Sequence, residues 1–296
     1  MKKVIGLILV FVLAFTAFVG CGNDSTEGEG GETEGASGAI TVVTREEGSG
    51  TRDGFTELMG IKVDDVDNTT QTAEVSNSTS VVMTTVAGNV NAIGYISLGS
   101  LNDTIKAVSV DGVEANVDNI LSGEYPIYRP FNIVTNSNND LSALAQDFIT
   151  FIMSKQGQDI ITEEGYISEA ESPAEYTQQE GLSGKIVCAG STSVSPVMEV
   201  LADAYKEMYP DVEIEIQQTG SGAGITSTIE GACDIGMASR AVKDEELAEG
   251  LEPTQIALDG IAVVVNNDNS VKNLTSEQIK AIFTGETTDW ADVAAE

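Results

Sequence analysis

From Gly38 onward, short β-branched runs alternate with stretches of helical periodicity, and no other property of the chain limits its fold as strongly. The runs are AITVV, AIGYISL, IYRPFNIVT, KIVCAG, VEIEIQQ and IALDGIAVVV. Such alternation implies α/β layers rather than a sandwich or a helical bundle. Apolar spacing predicts one helix over 141–156, with Leu144, Ala145, Phe148, Ile149, Ile152 and Met153 on one stripe. It predicts another over 196–208, with Val197, Val200, Leu201, Ala204, Tyr205 and Met208 aligned and Pro196 in the first turn, where its fixed φ is tolerated. A third opens at Thr275, which has a capping-box partner in Gln278, and closes near Gly285. Segment 168–184 is polar and acidic and reads as a linker or surface excursion. A chain of 296 residues has room for about two domains.

Three junctions between strand and helix share an unusual composition. Thr44-Arg45-Glu46-Glu47-Gly48-Ser49-Gly50-Thr51-Arg52 follows AITVV, Ala189-Gly190-Ser191-Thr192-Ser193-Val194-Ser195-Pro196 follows KIVC, and Thr219-Gly220-Ser221-Gly222-Ala223-Gly224 follows VEIEIQQ. A helix N-terminus offers unpaired N–H groups and the positive end of the helix dipole, so it receives an oxyanion without needing net positive charge. Ser and Thr hydroxyls add neutral donors, and Arg45 can add a charged two-pronged one. One such turn is ordinary loop composition; three point to non-covalent oxyanion binding. The glycines do not fit the dinucleotide or P-loop spacings, and no G-x-S-x-G elbow of a serine hydrolase occurs.

Charge and composition remove other chemistries. With 14 Lys and Arg against 47 Asp and Glu, the formal charge is −33, which argues against nucleic acid or an anionic membrane surface as a partner. There is no His, so Ser-His-Asp and Cys-His catalysis and His-ligated zinc are excluded. The acids form no ligand-spaced metal cluster, and no cofactor is implied. Cys188 and Cys233 lie in apolar strand-like runs, either as two buried free thiols or as a disulfide.

At the N-terminus, Lys2 and Lys3 precede an apolar run from Val4 to Val19, followed by Gly20 and Cys21. This pattern is an export signal over 1–20. The ending Phe18-Val19-Gly20-Cys21 resembles a bacterial lipobox, implying cleavage before Cys21 and lipidation of its sulfur; an uncleaved membrane anchor is the alternative. Either way the rest of the chain is extracytoplasmic and tethered to the outer face of the cell membrane. Residues 22–38 hold five acids, no base and no large apolar side chain, so 21–38 reads as a flexible acidic tether.

The three turns, with DIGMASRAVKDEE, IALDGIAVVVNNDN, NLTSEQIKAIFTGETTDW, NAIGYISLG and YPIYRPFNIVT, resemble the phosphate-binding proteins of bacterial phosphate ABC importers, the PstS family of type II periplasmic binding proteins. The likeness covers most of 40–296. It implies an α/β, two-lobed type II fold with a hinge and an interlobe ligand cleft, binding inorganic phosphate and delivering it to a membrane permease. Carried over by motif, the phosphate ligands are Thr192 and Ser193, then Ser221, then Arg45, Ser49, Gly50 and Thr51. Glu47 falls where the family braces its Arg. Ser239 closes the G-x-A-S motif, and Arg240 stands where some members have an acceptor Asp. Arg240 is then either a second cationic ligand or a surface salt bridge. Glu47 or Asp259 could supply the missing acceptor, against more ordinary roles in pairing with Arg45 and capping a turn.

The order of the motifs departs from the family. The half that ends there begins here, at 39–168, and the half that begins there follows, at 184–296. This reads as a circular permutation, with 168–184 joining the old termini. It places one lobe at 127–265 and the other at 39–126 plus 266–296, with crossings near Tyr125–Pro130 and Val263–Asn267. A swapped dimer of complementary halves is the rival, and a strictly dimeric species in solution would favour it. A second function class also stands: an extracellular enzyme or sensor acting on another oxyanion or a phosphorylated compound.

Overall fold

The computed structural model describes residues 36–170 and 172–293. The expected signal segment 1–20, Cys21 and the tether as far as residue 35 lie outside the described residues. Among the described residues, no helix is long and apolar enough to cross a membrane.

The first stretch runs β1 (Thr41–Arg45), α1 (Gly50–Leu58), β2 (Lys62–Val63), β3 (Val66–Asp67), β4 (Glu74–Ser76), α2 (Thr79–Ala87), β5 (Ala92–Ser97), β6 (Ile105–Ala107), β7 (Ser109–Val110) and α3 (Val117–Leu121). Then come β8 (Tyr128–Asn136), α4 (Ala143–Ile152), α5 (Lys155–Glu163), β9 (Ile167–Ser168), β10 (Gly184–Gly190), α6 (Ser195–Met208), β11 (Val212–Gln218), α7 (Ser221–Ile229), β12 (Ile235–Ala238) and α8 (Asp244–Leu247). The long β13 (Leu251–Asn266), β14 (Asn273–Leu274) and α9 (Ser276–Thr284) follow.

The strands join in the order β11-β10-β12-β8-β13-β5-β1-β4. At one end β10 lies parallel to β11 and β12, and at the other β1 lies parallel to β4 and β5. Antiparallel β8 and β13 fill the middle, with a bulge between Gln255 and Ala257. β13 changes partners along its length: its first part pairs with β8, and from Ile261 it pairs with β5.

Two large apolar cores, with smaller clusters around Val43 and Val264 and around Val134 and Ile225, follow from this arrangement. One gathers Phe131, Phe148, Phe151, Leu201, Tyr205 and Met237; the other gathers Phe55, Ile93, Tyr95, Val263, Ile282 and Phe283. β13 gives Ile256 and Ala257 to the first and Ile261, Val263 and Val265 to the second. Burying each such side chain stabilises the fold by roughly 1.5–3 kcal/mol, so both halves hold the strands that join them.

Local sequence accounts for most boundaries. Thr275 and Gln278 cap α9 reciprocally, and Gly285 ends it in the left-handed region at φ 81°. The single helix expected over 141–156 is instead two, because Ser154 donates to the Phe151 carbonyl and caps α5 by accepting from Gly157 N–H. A Cβ on Gly157 would lie 2.3 Å from the Phe151 oxygen, so the tight break requires glycine.

Two features concern chain order. Ile40 N–H donates to the Thr288 carbonyl at 2.8 Å and Trp290 N–H to that of Gly38 at 2.9 Å, while the Trp290 indole donates to Asn91 O. Segment 172–183 carries no helix or strand but is fastened down. The Tyr176 hydroxyl donates to the buried Asp147 carboxylate and lies 2.6 Å from the Tyr209 hydroxyl, and its ring packs edge-on against Phe151. Cys188 and Cys233 are free buried thiols, and burial raises the pKa of both.

Candidate oxyanion site between the two cores

Four helices begin at the seam between the cores. Ser49 caps α1, leaving Gly50 and Thr51 in its first turn; Ser78 caps α2, whose first residue is Thr79. Across the seam, α6 follows Ser191–Val194, and α7 starts at Ser221 after Gly220 at φ 89°. Thr51, Thr79, Thr192, Ser193, Ser221 and Ser239 are all buried.

Their hydroxyls meet. Thr51 Oγ1 lies 2.9 Å and Thr79 Oγ1 3.1 Å from Ser193 Oγ. Ser191 Oγ donates to Ser239 Oγ at 2.9 Å, and Ser239 N–H donates to Ser221 Oγ at 3.1 Å. Gly222 N–H donates to the Gly48 carbonyl, tying α7 to the α1 turn. Gly50 permits this approach: a Cβ there would lie 2.6 Å from Ser221 Oγ and 2.7 Å from Ser239 Oγ.

Arg45 closes the cluster. Its side chain is 2 % exposed, and Nη2 donates to Thr192 Oγ1 at 3.0 Å and to Glu46 Oε1 at 2.7 Å. Nε donates to Glu46 Oε2 at 2.8 Å. Glu46 is therefore the brace, and Glu47, expected in that role, is exposed. The reason is a bond to another strand: Glu46 N–H is pinned to the Ser76 carbonyl at the end of β4, so its carboxylate folds back along the guanidinium, whereas Glu47 stands exposed at the turn's tip. Tyr95 holds the strand end from below, accepting from Arg45 N–H. Burial pushes the Tyr95 phenol up to about 12, so it stays neutral.

The remaining residues fall outside this cluster. Arg240 gives both terminal nitrogens to Glu246 at 2.7 and 2.8 Å, and its Nε lies 3.2 Å from Asp53. That is the ion-pair alternative, buried rather than at the surface. Burial lifts the Glu246 carboxyl, but the Arg240 hydrogen bonds outweigh it and hold it below the usual range. Asp259 accepts from Ser97 Oγ at 2.9 Å and Gly99 N–H at 3.3 Å, capping the turn after β5, and its other oxygen lies 3.1 Å from Arg129. A groove of about 650 Å³ opens beside the seam, lined on its two sides by Glu47, Arg52 and Asp53 and by Gly222, Arg240 and Glu246. Among the described residues, no group of His, Cys, Asp and Glu is placed to hold a metal ion.

Sequence reasoning missed Thr79 and Arg129. The first had a visible signal, since Ser76-Asn77-Ser78-Thr79-Ser80 is a fourth hydroxyl-rich junction of strand and helix.

Two α/β halves sharing continuous strands, with helix N-termini facing each other across the seam, define a two-lobed binding protein. Comparisons with known proteins agree. A PBP superfamily domain model matches residues 23–156 and 171–296. The phosphate-binding protein PstS 2 of Streptococcus pneumoniae is 50% identical over 293 residues, 98% of each chain. A crystal structure of a phosphate-binding protein of a phosphate ABC transporter from Streptococcus pneumoniae TIGR4 superimposes with a TM-score of 0.68 at 51% identity, covering 87% of this chain and 100% of that one. The phosphate-binding protein PstS of Pseudomonas aeruginosa is 38% identical, but over only 37% of this chain and 36% of its own. The chain belongs to the PBP superfamily, in the PstS family of these relatives, and has its two-domain α/β fold.

Proposed function

We propose that this chain captures inorganic phosphate between its two lobes and hands it to the permease of an ABC importer; the lobes follow the expected 127–265 and 39–126 plus 266–296, but Ile127, Ile261, Val263 and Val265 pack in the second core, so β13 crosses between Ala257 and Ile261. The observation that carries this is the convergence of four helix N-termini and the buried Arg45 on one seam. A bound oxyanion takes the place of the hydroxyl-to-hydroxyl bonds and receives donors from both halves. Its ligands are Arg45, Ser49, Gly50, Thr51, Thr192, Ser193 and Ser221, with Thr79 and Ser239 beside them. Micromolar affinity needs roughly 8 kcal/mol. Hydrogen bonds to a charged group contribute on the order of 1.5–3 kcal/mol each, so six to eight donors suffice after ordering costs.

The relatives above carry the names of binding proteins, which supports capture without turnover. Location outside the cytoplasm, with Cys21 lipidated, follows from the N-terminal pattern. The permuted chain order is supported by one contact: segments 38–40 and 288–290, contiguous in the order expected of the family, are hydrogen-bonded here. PstS 2 of Streptococcus pneumoniae aligns over 98% of both chains in this same order, so the order is shared with that relative, whereas the relative from Pseudomonas aeruginosa aligns over little more than a third of the chain.

Calorimetric titration with phosphate, sulfate and a phosphate monoester, beside a phosphatase assay, tests the function. One saturable phosphate site per chain and no ester hydrolysis are expected; turnover of the ester, or no heat with phosphate, would overturn it.

A further inference from the structure

Arg129 sits on β8 where that strand passes between the two cores. Its side chain is 3 % exposed, its Nη2 is 3.1 Å from Asp259 Oδ2, and its guanidinium carbon is 5.4 Å from the centre of the Phe131 ring. Yet Nε, Nη1 and Nη2 all lack a partner in hydrogen-bond geometry, and so does Asp259 Oδ2. A buried guanidinium has five N–H groups to satisfy, and leaving charged donors unpaired is costly. The side chain runs beneath α1: a Cβ on Gly54 would lie 3.5 Å from its Cδ. Gly54 is one turn along α1 from Gly50, on the face turned toward Ser221 and Ser239.

We propose that Arg129 is a second cation of the oxyanion site, acting through its field rather than by contact, with Asp259 as the counter-charge that sets its strength. The inference rests on the phosphate site proposed above. Burial pulls the Arg129 pKa down to about 10, Asp259 opposes this, and Arg45 adds to it. Arg129 is thus within electrostatic range of Arg45, and its side chain lies under α1, whose first turn forms part of the site. Seen from the anion, Arg45 is already neutralised by Glu46, so the unpaired donors of Arg129 strengthen attraction where the dielectric is low and screening weak. A field acts in proportion to ligand charge, so a doubly charged oxyanion gains more from it than a singly charged one.

Calorimetric titration of Arg129→Met, Arg129→Lys and Asp259→Asn with phosphate and sulfate is the test, with melting temperatures taken in parallel. A field effect gives opposite signs: Arg129→Met weakens binding by about tenfold, Asp259→Asn tightens it by about threefold, and Arg129→Lys retains most of it. A purely structural pair moves both substitutions the same way, and that result, or unchanged affinity in both, would overturn the inference. If Arg129→Met does not fold, Asp259→Asn decides, since weakened or unchanged binding there is equally fatal. Arg45→Ala and Ser221→Ala separate the two proposals: if neither weakens binding, the site itself is wrong; if they do and the signs are not opposite, only the role of Arg129 fails.

Discussion

Arg45 and Gly50 show how single residues set what the seam can do. Glu46 grips one edge of the guanidinium through Nε and Nη2, leaving its remaining donors aimed at Thr192 and Thr79. The sequence marked Arg45 as the cation because it precedes a Gly/Ser turn and matches the Arg of the family's motif, but the choice between Glu46 and Glu47 depended on a backbone bond to Ser76 from another strand. Arg129 was illegible for a related reason: nothing in YPIYRPFNIVT distinguishes a strand arginine facing solvent from one buried beneath a helix. Gly50 gives a prediction. Gly50→Ala forces the α1 turn away from Ser221 and Ser239, so phosphate affinity falls by about tenfold or more, while Gly54→Ala, whose nearest contact would be 3.4 Å, leaves it nearly unchanged. Titration of the two variants side by side checks this; equal affinities would mean that the halves need not approach so closely.

Among elements, those with strong local signals were legible. The capping box and Gly285 bound the last helix correctly, and β10, β11 and α6 fall within a residue of the expected runs. The break between α4 and α5 was not legible, because the apolar stripe runs unbroken up to Met153 and only the cap at Ser154 reveals the turn. Segment 172–183 is the sharper lesson. Its composition reads as loose chain, yet the Asp147 carboxylate receives the hydroxyls of Tyr176 and Tyr205, and Gln179 N–H donates to Tyr209. Polarity predicted exposure but not one anchoring aromatic. Tyr176→Phe removes a hydrogen bond to a charged acceptor, so stability should drop by about 1.5–3 kcal/mol with phosphate affinity unchanged. Denaturant unfolding and titration together check this, and a loss of affinity would mean that the segment communicates with the seam.

At the scale of the whole molecule, the charge of −33 and a site for a small anion coexist because they act over different distances. Near the seam, Arg52 pairs with Asp67, Lys62 with Glu57 and Asp65, and Arg240 with Asp53 and Glu246, so every cation of these pairs is neutralised and the cleft mouth keeps a small excess of acid. Farther out, the excess acid repels an approaching dianion. Raising salt from low concentration should therefore increase the association rate of phosphate until the Debye length shrinks to about 10 Å, near 0.1 M. Stopped-flow binding at several ionic strengths measures it, and a falling rate would mean that positive steering governs entry. Only at this scale do the two ends of the described chain come together, with Trp290 N–H donating to the Gly38 carbonyl.

The central claim, that phosphate is held at the convergence of helix N-termini by Arg45 on one side and Ser221 on the other, is tested most directly by calorimetric titration of Arg45→Ala and Ser221→Ala. Each variant should fold and bind phosphate about tenfold or more weakly than the unaltered protein. Unchanged affinity in both would contradict the account.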